Sequence, residues 1–397
     1  MTTPGLDASI KELRVTAEFI ESLQTAMLEQ SNMCDEDIQQ LCDPPTSFPE
    51  EVTDRHFLKA LRTFISTTNA SEAMYNGVHA ASQACYPDDS FLLFDQVKRK
   101  LEGLTGMVLI MHDMCIDTCA AFMGPYSLLD ACPKCSKPQY HPGTRNLQQQ
   151  FLIIPIGLVI QALYLSEGTT DDMHYLECIM EKILKDIKQN GGKVKQYDNT
   201  ACGMHNLHAW QIGQIKKGNV LLQISLDSAQ LYRDKESDCW IFIYIIHNLS
   251  PDLHYRKWFV IPGGFISGLN KPKHTDSYVY PSLYHISALQ QEGLQIWDAL
   301  TGLYITKSTP FIMLATADGP AMANMTGMVG HSGNFGCCLY CGLSGCCQEG
   351  DCHYYPLMQK PDNYTVAGCQ HPDISFKQLQ EFDMIQKCAT MTTSSIY

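Results

Sequence analysis

The stretch "TPFIMLATADGPAMANMTGMVG", residues 309–330, decides how the rest of the chain is read. An apolar run, Phe311 to Ala317, stops abruptly on Asp318; small residues follow, and a cysteine cluster comes soon after. The run predicts a strand over 310–318 that carries a carboxylate to its end. Read alone, Asp318 ahead of "GPAMA" is also a good helix N-cap or turn residue. The choice depends on whether a second carboxylate from far upstream meets it.

Upstream, "GNVLLQISLD" (218–227) predicts a strand ending on Asp227. "CWIFIYIIHNL" (239–249) predicts a second strand, rich in aromatic and β-branched residues, and "RKWFVIPGG" (256–264) a third, stopped by proline and glycine. "YPSLYHISALQQEGLQIWDALTG" (280–302) predicts a helix, with 310–318 as the fourth strand. The order is β-β-β-α-β. Three strands on short turns make an antiparallel meander, and the crossover helix returns the fourth strand parallel to the first. Asp227 and Asp318 would then end neighbouring strands. This is the strand order of ribonuclease H-like nucleases and integrases, so the expected class is α/β with a ribonuclease H-like core. Two carboxylates at contact distance repel unless a dication lies between them. Mg²⁺ or Mn²⁺ suits such open aspartates, and two ions can activate an attacking oxygen and steady a leaving one at a phosphodiester.

The chain has 397 residues, 45% of them hydrophobic, enough for a sizeable core in two or three domains. A formal net charge of -14 argues against a protein that simply coats nucleic acid. The first thirty residues lack a basic start followed by an apolar core, so the chain is expected not to be secreted. "FLIIPIGLVIQALYL" (151–165) is too short for a bilayer span and is interrupted by Pro155 and Gln161; it reads as a buried helix or strand-turn-helix, with no membrane partner. Residues 1–105 show helical periodicity and read as a packed scaffold. "KQNGGKVKQYDNT" (188–200) is a polar linker. The expected divisions are a helical region 1–105, a zinc-knuckle and helical region 106–200, a core 201–336, and a cysteine-rich insertion and tail 337–397. "GLNKPKH" (268–274) and Lys216-Lys217 read as solvated loops more than as phosphate contacts.

Eighteen cysteines in a chain without a secretory signal point to metal sites more than to disulfides. Cys115 and Cys119 form C-x3-C, and Cys132 and Cys135 form C-x2-C. Two short pairs across a short loop suit a structural four-thiolate Zn²⁺ site, with His112 and His141 as possible substitutes for one thiolate.

Several blocks resemble the transposases of CACTA (En/Spm)-type DNA elements, in a branch widespread in fungi. They are "MCIDTCAAFMGPYSLLDACPKC", the long block from "ISLDSAQLYRDK" to "LQIWDA", "ATADGPAMANMTGMVGHSGNFGCCLYC" and "HYYPLMQKPDNYTVAGCQHPDI". The resemblance implies an acidic triad that cuts DNA at transposon ends and joins the freed 3′-hydroxyl to a target. Asp227 matches the first aspartate and Asp318 the second. Cys341 matches the second cysteine of the following pair, with Cys337 or Cys338 as its partner. Cys352 and His353, with Cys346 and Cys347 nearby, would complete a second Zn²⁺ site. The implied partners are transposon-end DNA and either a second copy or a full-length transposase, in the nucleus, or the cytoplasm for an inactive copy. The family's third acid, a glutamate, has no clear match: Glu381 and Asp383 follow no recognisable final strand. The chain is accordingly expected to be an incomplete copy, slow or inactive in turnover.

Overall fold

The computed structural model describes residues 11–47, 53–68, 70–88, 90–106, 108–230, 238–268 and 270–326, with 333–334, 345–347, 354–355, 360–361 and 373–374 beyond them. Contacts divide the chain into two compact units. One holds the residues up to Ile224 together with Ser228–Ala315; the other holds Ser225–Asp227 and the chain from Thr316 onward.

The first unit begins with helices. Helix α1 (Lys11–Leu23) places Phe19 among the rings of Tyr126, His274 and Tyr280, at centroid distances of 5.5, 5.4 and 5.2 Å. At the end of α2 (Asp35–Cys42), the Leu41 carbonyl accepts from Gln161 Nε2 at 2.9 Å. Helices α3 (Arg55–Ser66), α4 (Glu72–Cys85) and α5 (Phe94–Thr105) close over a small core of Phe57, Ala60, Tyr75, Phe91 and Val97. Asp54 starts α3 by accepting from the amides of His56 and Phe57, which have no partner inside the first turn.

Strands β1 (Ile110–Met114) and β2 (Gln149–Ile153) pair antiparallel, and β2 leads through Pro155 into α6 (Ile156–Leu163). The 151–165 stretch is thus a strand, a turn and a helix. Helices α7 (Glu167–Met173), α8 (Tyr175–Gln189) and α9 (Met204–Gln211) follow. Then come β3 (Val220–Gln230), β4 (Asp238–Ile246), β5 (Val260–Gly268), α10 (Thr275–Glu292), the hairpin β6 (Leu294–Asp298) and β7 (Leu303–Ser308), strand β8 (Pro310–Ala317) and α11 (Gly319–Thr326). The main sheet has six strands in the order β1-β2-β5-β4-β3-β8. It is a mixed α/β fold. Strands β1 and β2, from the cysteine-bearing segment, extend the sheet on the β5 side through Leu152↔Phe265.

Three elements differ from the sequence reading. Strand β3 runs on past Asp227 to Gln230. Strand β5 does not stop at Pro262-Gly263-Gly264 but passes through it to Gly268. The ladder with β4 shifts register between Phe242 and Ile243, opposite this stretch, which accommodates a residue without an N–H. The two glycines leave room for the Phe242 ring, which a Cβ at either position would strike; one at Gly263 would also strike Tyr244, and one at Gly264 would strike Ile153. Helix α10 starts five residues earlier than expected and ends at Gly293 (φ +86), and "LQIWD" forms β6 instead. Leu294, Ile296 and Asp298 face inward and alternate with Gln295 and Trp297, a two-residue period.

Two buried histidines tie this unit together. His285 of α10 accepts the Gly157 amide on Nε2 at 3.2 Å, and His247 Nε2 meets Gln223 Oε1 at 2.9 Å. Burial lowers both to about 4, with the neighbouring His254 adding to the effect on His247. Unfolding exposes both rings to protonation below about pH 6.5. Their contribution is therefore complete above that pH and lost as pH falls toward 4, by about 3 kcal/mol per ring at the full shift. Denaturant unfolding should show a midpoint that is level from about pH 7.5 to about 6.5 and falls from there to about 4.5; a profile flat throughout would contradict neutral burial.

Candidate metal centre

Two sharp turns build the centre. The first leaves β1: Met114 bridges Ala121, the Cys115 amide donates to the Ala120 carbonyl (2.9 Å), and the Thr118 amide donates to the Cys115 carbonyl (2.8 Å). In the second, Ala131 bridges Pro138, Cys132 N donates to Lys137 O (2.8 Å) and Ser136 N to Cys132 O (2.8 Å). Each turn closes on a non-glycine residue in the left-handed region, Thr118 (φ 58) and Ser136 (φ 61). A β-branched residue there is strained and persists only where its surroundings require it.

The turns bring Cys115, Cys119, Cys132 and Cys135 together, with all four Sγ atoms within 4.8 Å of one another. Cys115 Sγ and Cys135 Sγ are 3.4 Å apart. A tetrahedral ion with bonds of about 2.3 Å to sulfur sets its sulfurs a little under 4 Å apart, so the set fits a Zn²⁺-like ion. Backbone amides aim at the sulfurs: Asp117 N reaches Cys115 Sγ at 3.4 Å, Lys134 N and Cys135 N point at Cys132, and Lys137 N points at Cys135. Burial pushes Cys119 up to about 11 and Cys132 up to about 12. At Cys135 burial acts the same way, but the Lys137 amide and hydrogen bonds from the other three thiols outweigh it and hold the group below its ordinary value. A dication would compensate the charge that these buried sulfurs otherwise resist, releasing protons as it binds. Across the two turns, Lys137 Nζ pairs with Asp117 Oδ1 at 2.7 Å.

The histidine alternatives are not in this cluster. His112 lies on β1 against Phe151 (5.5 Å between ring centroids), buried and lowered to about 4, while His141 is exposed in the turn that follows. Spacing gave no sign of what lies around the centre. Lys273 N and His274 N, at the entrance to α10, both donate to the Cys119 carbonyl, at 3.1 and 2.9 Å. Ser277 Oγ accepts from Ala121 N at 3.0 Å. Tyr278, fully buried, is pushed up first by burial and then by the charges of all four cysteines. The 268–274 stretch is thus partly structural, with Lys271 Nζ lying 5.3 Å from the Trp240 ring.

Gly268, at the end of β5, approaches this centre from the sheet. A Cβ there would overlap Thr118 Oγ1. Gly268→Ala should therefore displace the first turn and cost about 1–3 kcal/mol, the usual range for overpacking. Thermal unfolding of the metal-loaded variant reads this, with an unchanged midpoint as the contrary result.

The aspartates lie elsewhere. Asp227 is an exposed residue of β3, and Asp318 directly follows β8, the neighbour of β3 in the sheet. Both fall in the second compact unit, where Ser225–Asp227 group with the chain from Thr316. Asp318 also acts as a cap: its Oδ1 accepts from Ala321 N at 2.8 Å, and its carbonyl from Met322 N at 2.7 Å. Cys337, Cys338, Cys341, Cys352, His353, Glu381 and Asp383 lie outside the described residues. Cys346–Cys347 form a short strand paired with Tyr354–Tyr355. Among the described residues, the four-cysteine set is the one group of three or more candidate ligands.

No protein-family model matches the chain, and no curated protein matches it. Among the described residues, no helix is long and apolar enough to cross a membrane.

Proposed function

We propose that the chain carries a ribonuclease H-like core of the CACTA-type transposase lineage, stabilised by Zn²⁺ at Cys115, Cys119, Cys132 and Cys135. In this reading Asp227 and Asp318 hold Mg²⁺ or Mn²⁺ for phosphodiester cleavage and strand transfer at transposon ends, in the nucleus. One observation carries the proposal. The strands run β5-β4-β3-β8 across the sheet, α10 lies in sequence between β5 and β8, and one aspartate is on β3 while the other directly follows β8. Adjacent strands with a carboxylate each are what a hard dication needs, since it prefers oxygen ligands and keeps several waters of its own. Two such ions would polarise the scissile phosphate from both sides.

The test is nicking of supercoiled DNA by the purified full chain. Cleavage should appear with Mg²⁺ or Mn²⁺, vanish with chelator and stay absent with Ca²⁺. A chain that binds DNA and leaves it uncut under every ion would remove the catalytic reading.

A second reading has its own support. The four-cysteine set stands alone among the described residues as a multi-ligand group, which favours a zinc-stabilised module that binds DNA or a transposase without catalysis. Binding in this case survives loss of either aspartate and falls with Cys132→Ser.

A further inference from the structure

The connection between β4 and β5 exposes four consecutive residues, Tyr255, Arg256, Lys257 and Trp258. Trp258 is 82% exposed and Tyr255 60%, although the chain has only four tryptophans and nothing in the metal or aspartate sites uses this one. The segment is a built turn. Leu253 N and His254 N donate to Ser250 O, Arg256 N to Leu253 O, and Phe259 N to Arg256 O. Beneath it, buried His254 holds the Tyr255 ring edge-on at 4.3 Å and meets His247 at 4.9 Å.

The same end of the sheet carries more positive charge. The end of β4 is fastened to the start of β3: His247 N donates to Leu221 O, Asn248 Oδ1 accepts from Leu221 N, and Asn248 Nδ2 donates to Asn219 O. Exposed Lys216 and Lys217 sit just before that start. Two aromatic faces and four cations thus gather at one sheet end of a chain whose formal net charge is -14. Arg256 and Lys217 lean on Asp252 (3.6 Å) and Glu177 (3.2 Å). Both cationic heads remain well exposed, and pairs of that kind are worth little, so phosphates can replace or share them.

We propose that this sheet end binds single-stranded nucleic acid, with Trp258 and Tyr255 stacking bases and Arg256, Lys257, Lys216 and Lys217 along the phosphates. Aromatic faces between cations give sequence-tolerant, salt-sensitive binding. The inference deepens the DNA reading above by naming a contact surface for it, but it needs neither the aspartates nor a metal.

The experiment is fluorescence anisotropy of a labelled thymidine 20-mer with the full chain at several salt concentrations. Trp258→Ala should weaken binding about tenfold or more, in line with the roughly 1–3 kcal/mol that base stacking is worth. Lys257→Ala should flatten the dependence of affinity on salt by about 0.7 in log–log slope. Both positions are exposed, and an unchanged thermal midpoint confirms folding. Asp227→Asn should leave binding intact, so a wild-type chain that binds this probe but nicks nothing counts against the catalytic reading and not against this surface. Three results overturn the inference: no binding by the wild-type chain at low salt, equal binding by wild type and Trp258→Ala, or a Trp258→Ala effect confined to self-association in gel filtration.

Discussion

Cys132→Ser is expected to empty the four-cysteine centre of zinc and to lower the thermal midpoint of the purified chain by roughly 10 °C or more. A four-thiolate site in a small domain can be worth about 10–16 kcal/mol of apparent binding energy at neutral pH, and losing one buried ligand forfeits most of it. The loss is not confined to two loops. The Cys119 carbonyl receives the amides of Lys273 and His274, and Ser277 of α10 holds the Ala121 amide, so the first turn and the start of α10 are fastened together. Both turns also close on left-handed, non-glycine residues, Thr118 and Ser136, whose strain would no longer be opposed. Zinc content by atomic spectroscopy should be lower by one ion per chain in the variant than in wild type. Wild-type protein stripped by a strong chelator should unfold at the same midpoint as the variant and recover on adding Zn²⁺. Equal midpoints for loaded wild type and Cys132→Ser would mean that the cysteines pack as ordinary thiols.

Asp227→Asn and Asp318→Asn are each expected to abolish the slow ion-dependent nicking of this incomplete core while leaving the fold intact, as loss of a carboxylate ligand at a metal-dependent phosphodiester site would. Asparagine matters at Asp318 because that side chain already accepts the Ala321 amide. Asparagine caps a helix about as well as aspartate, whereas alanine would add about 1 kcal/mol of cap loss. Asp318→Asn therefore separates charge from cap: lost activity with an unchanged midpoint assigns the residue to metal binding. Retained activity in the Asp318 variant would leave the cap as that residue's role, and retained activity in the Asp227 variant would leave Asp227 as a surface strand position.

The legible parts of this chain were those with local causes. The four cysteines came from spacing alone, because two short cysteine pairs across a short loop suit one four-thiolate site. Strands such as β4 showed themselves through uninterrupted β-branched and aromatic content. The turn-and-helix after β2 followed from Pro155. What was not legible depended on distant partners. Strand β5 passes through Pro262-Gly263-Gly264 because Phe242 and Tyr244, on β4, fill the space over those glycines. Hairpin β6–β7 hid behind an apolar sequence that suits a helix equally well, and its turn is set by Asp298, whose Oδ1 takes the Thr301 amide at 2.9 Å and whose Oδ2 meets His174 at 2.8 Å. Tyr278 shares no motif with the cysteines whose charge it feels. Asp227 and Asp318 were picked out through strand order and through the resemblance of the blocks that hold them, so their role rests on experiment.

The order in which these parts leave the ribosome has a consequence for assembly. All four sulfurs lie between residues 115 and 135, whereas β3 must wait for β8, which begins at Pro310. Short-range closures form early and long-range strand pairing late. A nascent chain can therefore capture its ion well before its sheet can close, and the loaded turns then offer β5 and α10 a ready seat as they emerge. Cells starved of zinc during translation should yield aggregated protein that later supplementation does not rescue.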